Sequence, residues 1–171
     1  GATLTVASTL NAATSLTAVS GTVILSASNA YSGGTLLNAG SLLRYADLSA
    51  LGTGTVTYAA ATALQAGLSG TIANPFAVNA GVTGTFDTQA FAAAMSAGLA
   101  GAGNFTKIGS GTLTLAGAGT ITGTTTLSAG QLNLNAAGAI GTGALVISGG
   151  TLDNTSGSGI TLSGSAPRSL A

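Results

Sequence analysis

Few side chains in this chain could do chemistry. The carboxylates are Asp47, Asp87 and Asp153, the basic residues number three, and there is no His, Cys or Trp. General acid and base work by paired carboxylates needs two of those aspartates within a few ångströms of one reacting bond. The three are widely separated along the chain, so each reads as a solvated turn residue. Arg44 lies close enough to Asp47 to form a surface pair, worth at most about 1 kcal/mol. Without His, a nucleophilic Ser or Thr would need Lys107 as its base. Lys107 sits in a repeated segment and reads as a solvent-facing side chain. Three scattered aspartates offer no transition-metal site, and Gly149-Gly150-Thr151-Leu152-Asp153 resembles a calcium-binding β-roll unit once only and lacks its middle glycine.

Other signals also reduce to structure. No complete phosphate-binding glycine loop occurs, and Gly52-Thr53-Gly54 precedes a strand pattern where a phosphate loop would precede a helix. Asn104-Phe105-Thr106 and Asn154-Thr155-Ser156 match the N-glycosylation pattern by coincidence. The threonine pairs Thr112/Thr114, Thr120/Thr122 and Thr124/Thr126 do not recur at one fixed spacing, as a flat ice-ordering face would require. Tyr31 and Tyr58 fall at repeat positions suited to packing, which leaves Tyr45 as the tyrosine to test for ligand contact. The expected catalytic, cofactor-binding and metal-binding residues are therefore none, and no cofactor or small-molecule substrate is implied.

Composition narrows the class. Charged residues make up 4% of the chain, where a soluble globular domain carries about a quarter. Solubility falls to Thr, Ser, Asn and backbone. Net charge is zero, so nucleic acid and anionic membrane have nothing to grip. No run approaches the roughly 18 apolar residues of a membrane-spanning helix. The start at Gly1, with neither a basic opening nor a long apolar core, reads as a piece of a longer chain. Four Phe and three Tyr in 171 residues would fill a compact globule poorly, but many Ala, Val, Leu and Ile suit a narrow, repetitive core.

The repetition is visible. Gly21-Thr22-Val23-Ile24-Leu25 lies over Gly111-Thr112-Leu113-Thr114-Leu115 at an offset of 90, and the match continues from Gly33 on Gly123 to Leu42 on Leu132. The two copies run over about 21–58 and 111–147. A shorter period sits inside: Leu113, Leu132 and Leu152 are 19 and 20 apart, and Leu127 and Ile147 are 20 apart. In the first copy Val23 to Leu42 and Leu37 to Val56 are each 19. Within segments the apolar residues alternate, as in Leu132-Asn133-Leu134, which is the period of a strand.

Short strands recurring at that period, about 20 residues, predict an all-β fold. The expected form is a right-handed parallel β-helix in which each coil stacks on the last and its inward side chains form ladders. The whole of 1–171 reads as one such segment. At about 4.8 Å per coil it holds roughly eight coils over about 40 Å. Asp87 to Gly98 carries two readings. Asp87 could cap a short helix holding Phe91 and Met95, closed by Gly98. The spacing of 19 from Phe86 to Phe105 instead keeps the coil and favours strand. Asn74-Pro75 marks a turn.

Asn29-Ala30-Tyr31-Ser32-Gly33-Gly34-Thr35-Leu36-Leu37-Asn38-Ala39-Gly40-Ser41-Leu42 resembles the N-T-Y-S-G-G-T-T-I-x-x-G-T-L signature of the autotransporter-associated β-strand repeat. Phe105 to Leu115 is similar to that family's L-x-K-x-G-x-G-T-L-x-L segment, and Gly84-Thr85-Phe86-Asp87-Thr88 to its G-T-F-D-T. Together these cover about Leu16 to Leu134. The second copy departs from the pattern, with Gly119 to Thr125 standing where the Asn-Tyr-Ser-Gly-Gly core would be. The resemblance implies a passenger region of type V secretion, exported unfolded, displayed at the bacterial surface or released, and carried by a C-terminal outer-membrane barrel elsewhere in the chain.

Two roles are then expected. One is a structural, non-catalytic stalk. The other is an adhesin or self-association module that uses the faces or ends of the helix to touch a host surface, matrix or another copy. A glycan-cleaving β-helix would need several acidic or basic residues on one face, and the sequence offers no such cluster.

Overall fold

In the computed structural model, which describes residues 2–11, 14–162 and 168–170, every paired strand runs parallel to its neighbour in a β-solenoid, and no helix occurs among the described residues. One side is a sheet of nine strands: β1 (Thr3–Val6), β3 (Gly21–Leu25), β5 (Ser41–Tyr45), β7 (Thr62–Ala66), β10 (Thr83–Asp87), β13 (Asn104–Ile108), β15 (Thr125–Leu127), β17 (Leu145–Ile147) and β19 (Arg168–Leu170). A second sheet serves the first half of the chain, with β2 (Leu16–Ala18), β4 (Thr35–Leu37), β6 (Val56–Tyr58), β9 (Phe76–Val78) and β12 (Leu99–Gly101). A third serves the second half, with β8 (Gly70–Ile72), β11 (Ala92–Met95), β14 (Thr112–Leu115), β16 (Gln131–Leu134) and β18 (Thr151–Asn154). The nine strands of the long sheet bound eight coils, each close to the length of the sequence period. Coils are numbered from the N-terminal end by the long-sheet strand that opens each.

Alternation within the strands sets the core. In β5 the side chains of Ser41, Leu43 and Tyr45 point inward, and those of Leu42 and Arg44 outward. Stacking by register then builds one interior column through Val23, Leu43, Leu64, Phe86, Lys107, Leu127 and Ile147. The steps along it lengthen from Val23–Leu43 to Leu64–Phe86 and shorten again by Leu127–Ile147, so coil length is not constant. Longer coils enclose more space, and the middle ones hold the buried aromatics other than Tyr31. Tyr45 and Phe86, Tyr58 and Phe105, and Phe76 and Phe86 each pack with ring centroids 6.4 Å apart. Gly84 makes room for one of them, because a Cβ there would lie 2.6–2.8 Å from the Tyr58 ring.

The second-copy spacings hold: Leu113 stacks on Leu132 and Leu132 on Leu152, and Leu127 on Ile147. The first-copy spacings do not. Val23 pairs with Leu43, and Leu37 with Tyr58. The adjacent leucines at 42–43 leave the parity of alternation undetermined, and the register took Leu43; Leu37 is inward, but its coil is two residues longer, so it stands on Tyr58 while Val56 stands on Thr35.

The two copies of the long repeat also sit on different sides of the solenoid. In the first, Gly21–Leu25 is in the long sheet, and in the second, Thr112–Leu115 is in the third sheet. Four coils carry Val23 to Lys107, and Leu113 lies a short way beyond, on the next side. An offset of 90 is thus four coils plus one side.

Between Asp87 and Gly98 the chain makes a turn, with the Phe91 amide donating to Thr88 O at 2.9 Å, and then a strand. The helical alternative fails because β11 is paired on both edges, to β8 and to β14, with Ala93 and Met95 inward. A single helical turn offers fewer hydrogen bonds for the same loss of freedom. The spacing of 19 from Phe86 to Phe105 is not a rung: Phe86 stacks under Lys107, and Phe105 stands over Gly84. The Asn74-Pro75 turn occurs as expected, between β8 and β9.

Candidate functional site: an ammonium buried between three coils

The alternation of β13 turns Asn104, Thr106 and Ile108 outward and Phe105 and Lys107 inward. Lys107 is therefore in the core and fully buried, contrary to the expectation of a solvent-facing side chain. Its position in the interior column, occupied by leucine or phenylalanine in adjacent coils, lets its methylenes pack while Nζ reaches the corner between the long and third sheets. Five oxygens meet it there. Thr88 Oγ1 of coil five lies at 2.8 Å, the carbonyls of Ile108, Gly109 and Gly111 in its own coil six at 3.1, 2.7 and 2.7 Å, and the Ala129 carbonyl of coil seven at 3.0 Å.

An ammonium has three donors and no acceptor, so five oxygens saturate it and some N–H groups are shared. Burying such a charge is tolerable only with this degree of pairing. Burial pulls the Lys107 pKa down to about 8, and the Asp87 carboxylate acts in the opposite direction. Gly130 closes the roof of the cage. It has a φ of +71°, which favours glycine, and a Cβ there would lie 2.6 Å from Nζ and against the Gly109 and Gly111 carbonyls.

The Thr88–Lys107 contact has the separation of a nucleophile and its base, but the chemistry runs the wrong way. Nζ donates to the hydroxyl, whose own hydrogen goes to Ile108 O at 3.1 Å. Both side chains have zero exposure, so no substrate reaches them.

The aspartates stay apart. Asp87 stands in register with Gln65, and Gln65 with Arg44, which makes a three-rung outward ladder on the long sheet. Gln65 Nε2 donates to Asp87 Oδ2 at 3.1 Å. Asp47 turns back on its own chain and accepts from the Ser49 amide at 2.8 Å, while the Arg44 Nε is buried without a partner, so the expected Arg44–Asp47 pair does not organise this surface. Asp153 is on the third sheet, exposed. No group of three or more His, Cys, Asp or Glu converges among the described residues.

Tyr45 is fully buried, its hydroxyl without a partner, which corrects its reading as the tyrosine for ligand contact. Tyr31 and Tyr58 are buried as expected of packing residues. Tyr31 OH lies 2.7 Å from Thr35 Oγ1, and Tyr58 OH donates to Thr85 O at 3.1 Å. Burial raises the pKa of all three tyrosines.

Two buried asparagines form a neutral counterpart to Lys107 in the lower coils. Asn29 accepts from the Leu10 amide and donates to Ala50 O, each at 2.7 Å. Asn74 Nδ2 reaches the carbonyls of Leu51, Gly52 and Gly54 at 3.3, 3.0 and 2.8 Å. The turn at 50–54 is thus held from the coil below and the coil above. Residue type alone marks neither asparagine as a clamp, although Asn29 opens the quoted repeat signature and Asn74 the expected turn.

Residues 20–43 and 105–134 match one family model, the passenger-associated-transport-repeat. The first match covers β3 to β5, and the second β13 to β16 with the Lys107 cage apart from Thr88. No curated protein and no solved structure matches the chain. The matched repeats and the β-solenoid are mutually consistent: the first match is one coil of chain plus most of the strand that begins the next, and the second is one coil plus the next two strands.

Proposed function

We propose that this chain is a stalk in the passenger region of a secreted bacterial protein, a stiff spacer that holds another part of the protein away from the cell surface. The observation that carries the reading is the uninterrupted parallel ladder along the long sheet, with interior positions given to packing and to buried polar clamps. Backbone groups inside such a stack pair with the coils on either side, so stiffness comes from hydrogen bonds in series over a thin core. The name of the matched repeat, with its reference to a passenger and to transport, supports display at the bacterial surface or release from it, with an outer-membrane barrel in the same protein.

A second reading is self-association or adhesion. It is favoured by the outward face of the long sheet, where the stacked column Thr22, Leu42, Ala63, Thr85, Thr106, Thr126 and Val146 carries no charged side chain. A column without charge has no electrostatic repulsion to keep another chain away. Light scattering across a concentration series, with binding of the fragment to cells and matrix proteins, separates the two. A monomer at all concentrations that binds neither supports the spacer. Concentration-dependent growth or saturable binding supports the module and rejects a purely mechanical role.

A further inference from the structure

We propose that Lys107 is an internal rivet that makes coils five, six and seven open and close as one unit. In a solenoid each coil contacts only its neighbours, and an aliphatic rung gives coupling of that range. Opening a coil at Leu127 or Ile147 exposes an alkyl group and little else. Lys107 differs because its oxygen ligands come from three consecutive coils: Thr88 in coil five, Ile108, Gly109 and Gly111 in coil six, and Ala129 in coil seven.

Removal of any one coil strands a desolvated cation with part of its cage gone, which is far costlier than exposing one leucine. Loss of coil seven takes away both the Ala129 carbonyl and the Gly130 roof. Loss of coil five takes away the Thr88 hydroxyl, together with its bond to Ile108 O. The cage can also be complete only when all three coils are in place, so coil six cannot settle with its lysine inside before coil seven has closed over it.

The rivet belongs to one matched repeat and not to the other. At the offset of 90, the counterpart of Lys107 is Thr17, which is exposed and precedes the first matched stretch. In the lower coils the three-coil bridge is made by the neutral Asn29, whereas the bridge at Lys107 carries a charge. The two copies share their strand pattern but differ in how firmly they bind coil to coil.

Native-state hydrogen exchange on the full chain across a denaturant series tests this. The reporters are the amides of Thr88, Ser128 and Gln131, which donate to Ile108 O, Lys107 O and Gly111 O. In the unaltered protein the three should share one exchange rate and one denaturant dependence. In Lys107→Met, which keeps the volume and removes the charge, the Ser128 and Gln131 amides should exchange roughly tenfold or more faster than Thr88, each with its own dependence. Isotherms that stay merged in Lys107→Met, or are already separate in the unaltered protein, overturn the proposal. If Lys107→Met does not fold, Lys107→Ala with added propylammonium decides. Propylammonium should raise the unfolding midpoint and restore the merged isotherms where propanol does not. Equal effects of the two, or none, would mean that the site does not act as an ammonium cage.

Discussion

Gly130 and Gly138 form a matched pair that isolates the Lys107 cage. Both have φ of +71°, but a Cβ on Gly138 meets nothing within 4 Å, whereas one on Gly130 lies 2.6 Å from Lys107 Nζ and against two of the carbonyls that hold it. Gly138→Ala should therefore show the backbone cost alone, about 1–2 kcal/mol for a side chain in the left-handed region. Gly130→Ala carries that cost and a further ~1–3 kcal/mol for crowding a filled interior. At about 2–4 °C per kcal/mol for a chain of this length, the extra crowding predicts a midpoint lower than that of Gly138→Ala by roughly 2–12 °C. Thermal and urea unfolding followed by circular dichroism on the two variants side by side would measure it. If both variants lose the same stability, a Cβ at Gly130 does not disturb the ammonium, and the cage geometry is wrong.

Gly84→Ala should destabilise by about 1–3 kcal/mol through its clash with the Tyr58 ring, and Tyr58→Leu in the same chain should recover part of that loss, a non-additivity measurable in a double-mutant cycle. Asn74→Ala leaves buried carbonyls without their donor and should cost about 1–3 kcal/mol by urea unfolding. On the outer face of the third sheet, Asn133→Ala should change stability by no more than about 0.5 kcal/mol. The pH profile follows from linkage. The Lys107 pKa is about 8 in the folded protein and 10.5 when unfolded, so between these values the unfolded chain binds more protons and stability should rise with pH. Above about 10 the sign reverses, because Tyr31, Tyr45 and Tyr58 have raised pKa values and stay protonated in the fold while their unfolded counterparts ionise. Lys107→Met should abolish the rise and keep the fall, and a rise that survives the substitution would assign it to another group.

The coil and its parallel ladders were legible wherever alternation was unambiguous. Leu113-Thr114-Leu115 and Leu132-Asn133-Leu134 each present one apolar parity, and their stacking follows directly. Leu42-Leu43 presents both, and there the tertiary register chose; Leu37 kept its parity, and only the length of its coil put Tyr58 rather than Val56 above it. The buried lysine was also encoded in parity, since Phe105 and Lys107 are two apart in a strand and share a face, as Leu43 and Tyr45 do. It escaped notice because a lysine is seldom fully buried unless paired, and its partners are backbone carbonyls whose convergence depends on three coils lying in register. Carbonyls leave no trace in residue types. The glycines at 109, 111 and 130 were the indirect signal, marking where backbone had to approach closely. The rotation between repeat copies was hidden for a related reason: coil length varies, so the offset of 90 could not be divided into whole coils before the registers were known.

Spin labels on the outward column of the long sheet test the central claim most directly. Thr22, Leu42, Ala63, Thr85, Thr106, Thr126 and Val146 occupy successive rungs. Pairwise distances by pulsed electron resonance should grow in proportion to the number of coils, with backbone separations of about 19 Å for 42 to 126, about 24 Å for 42 to 146 and about 29 Å for 22 to 146. Distances that fail to rise with coil count would mean that these residues do not stack, and the solenoid with its three-coil lysine cage would be contradicted together.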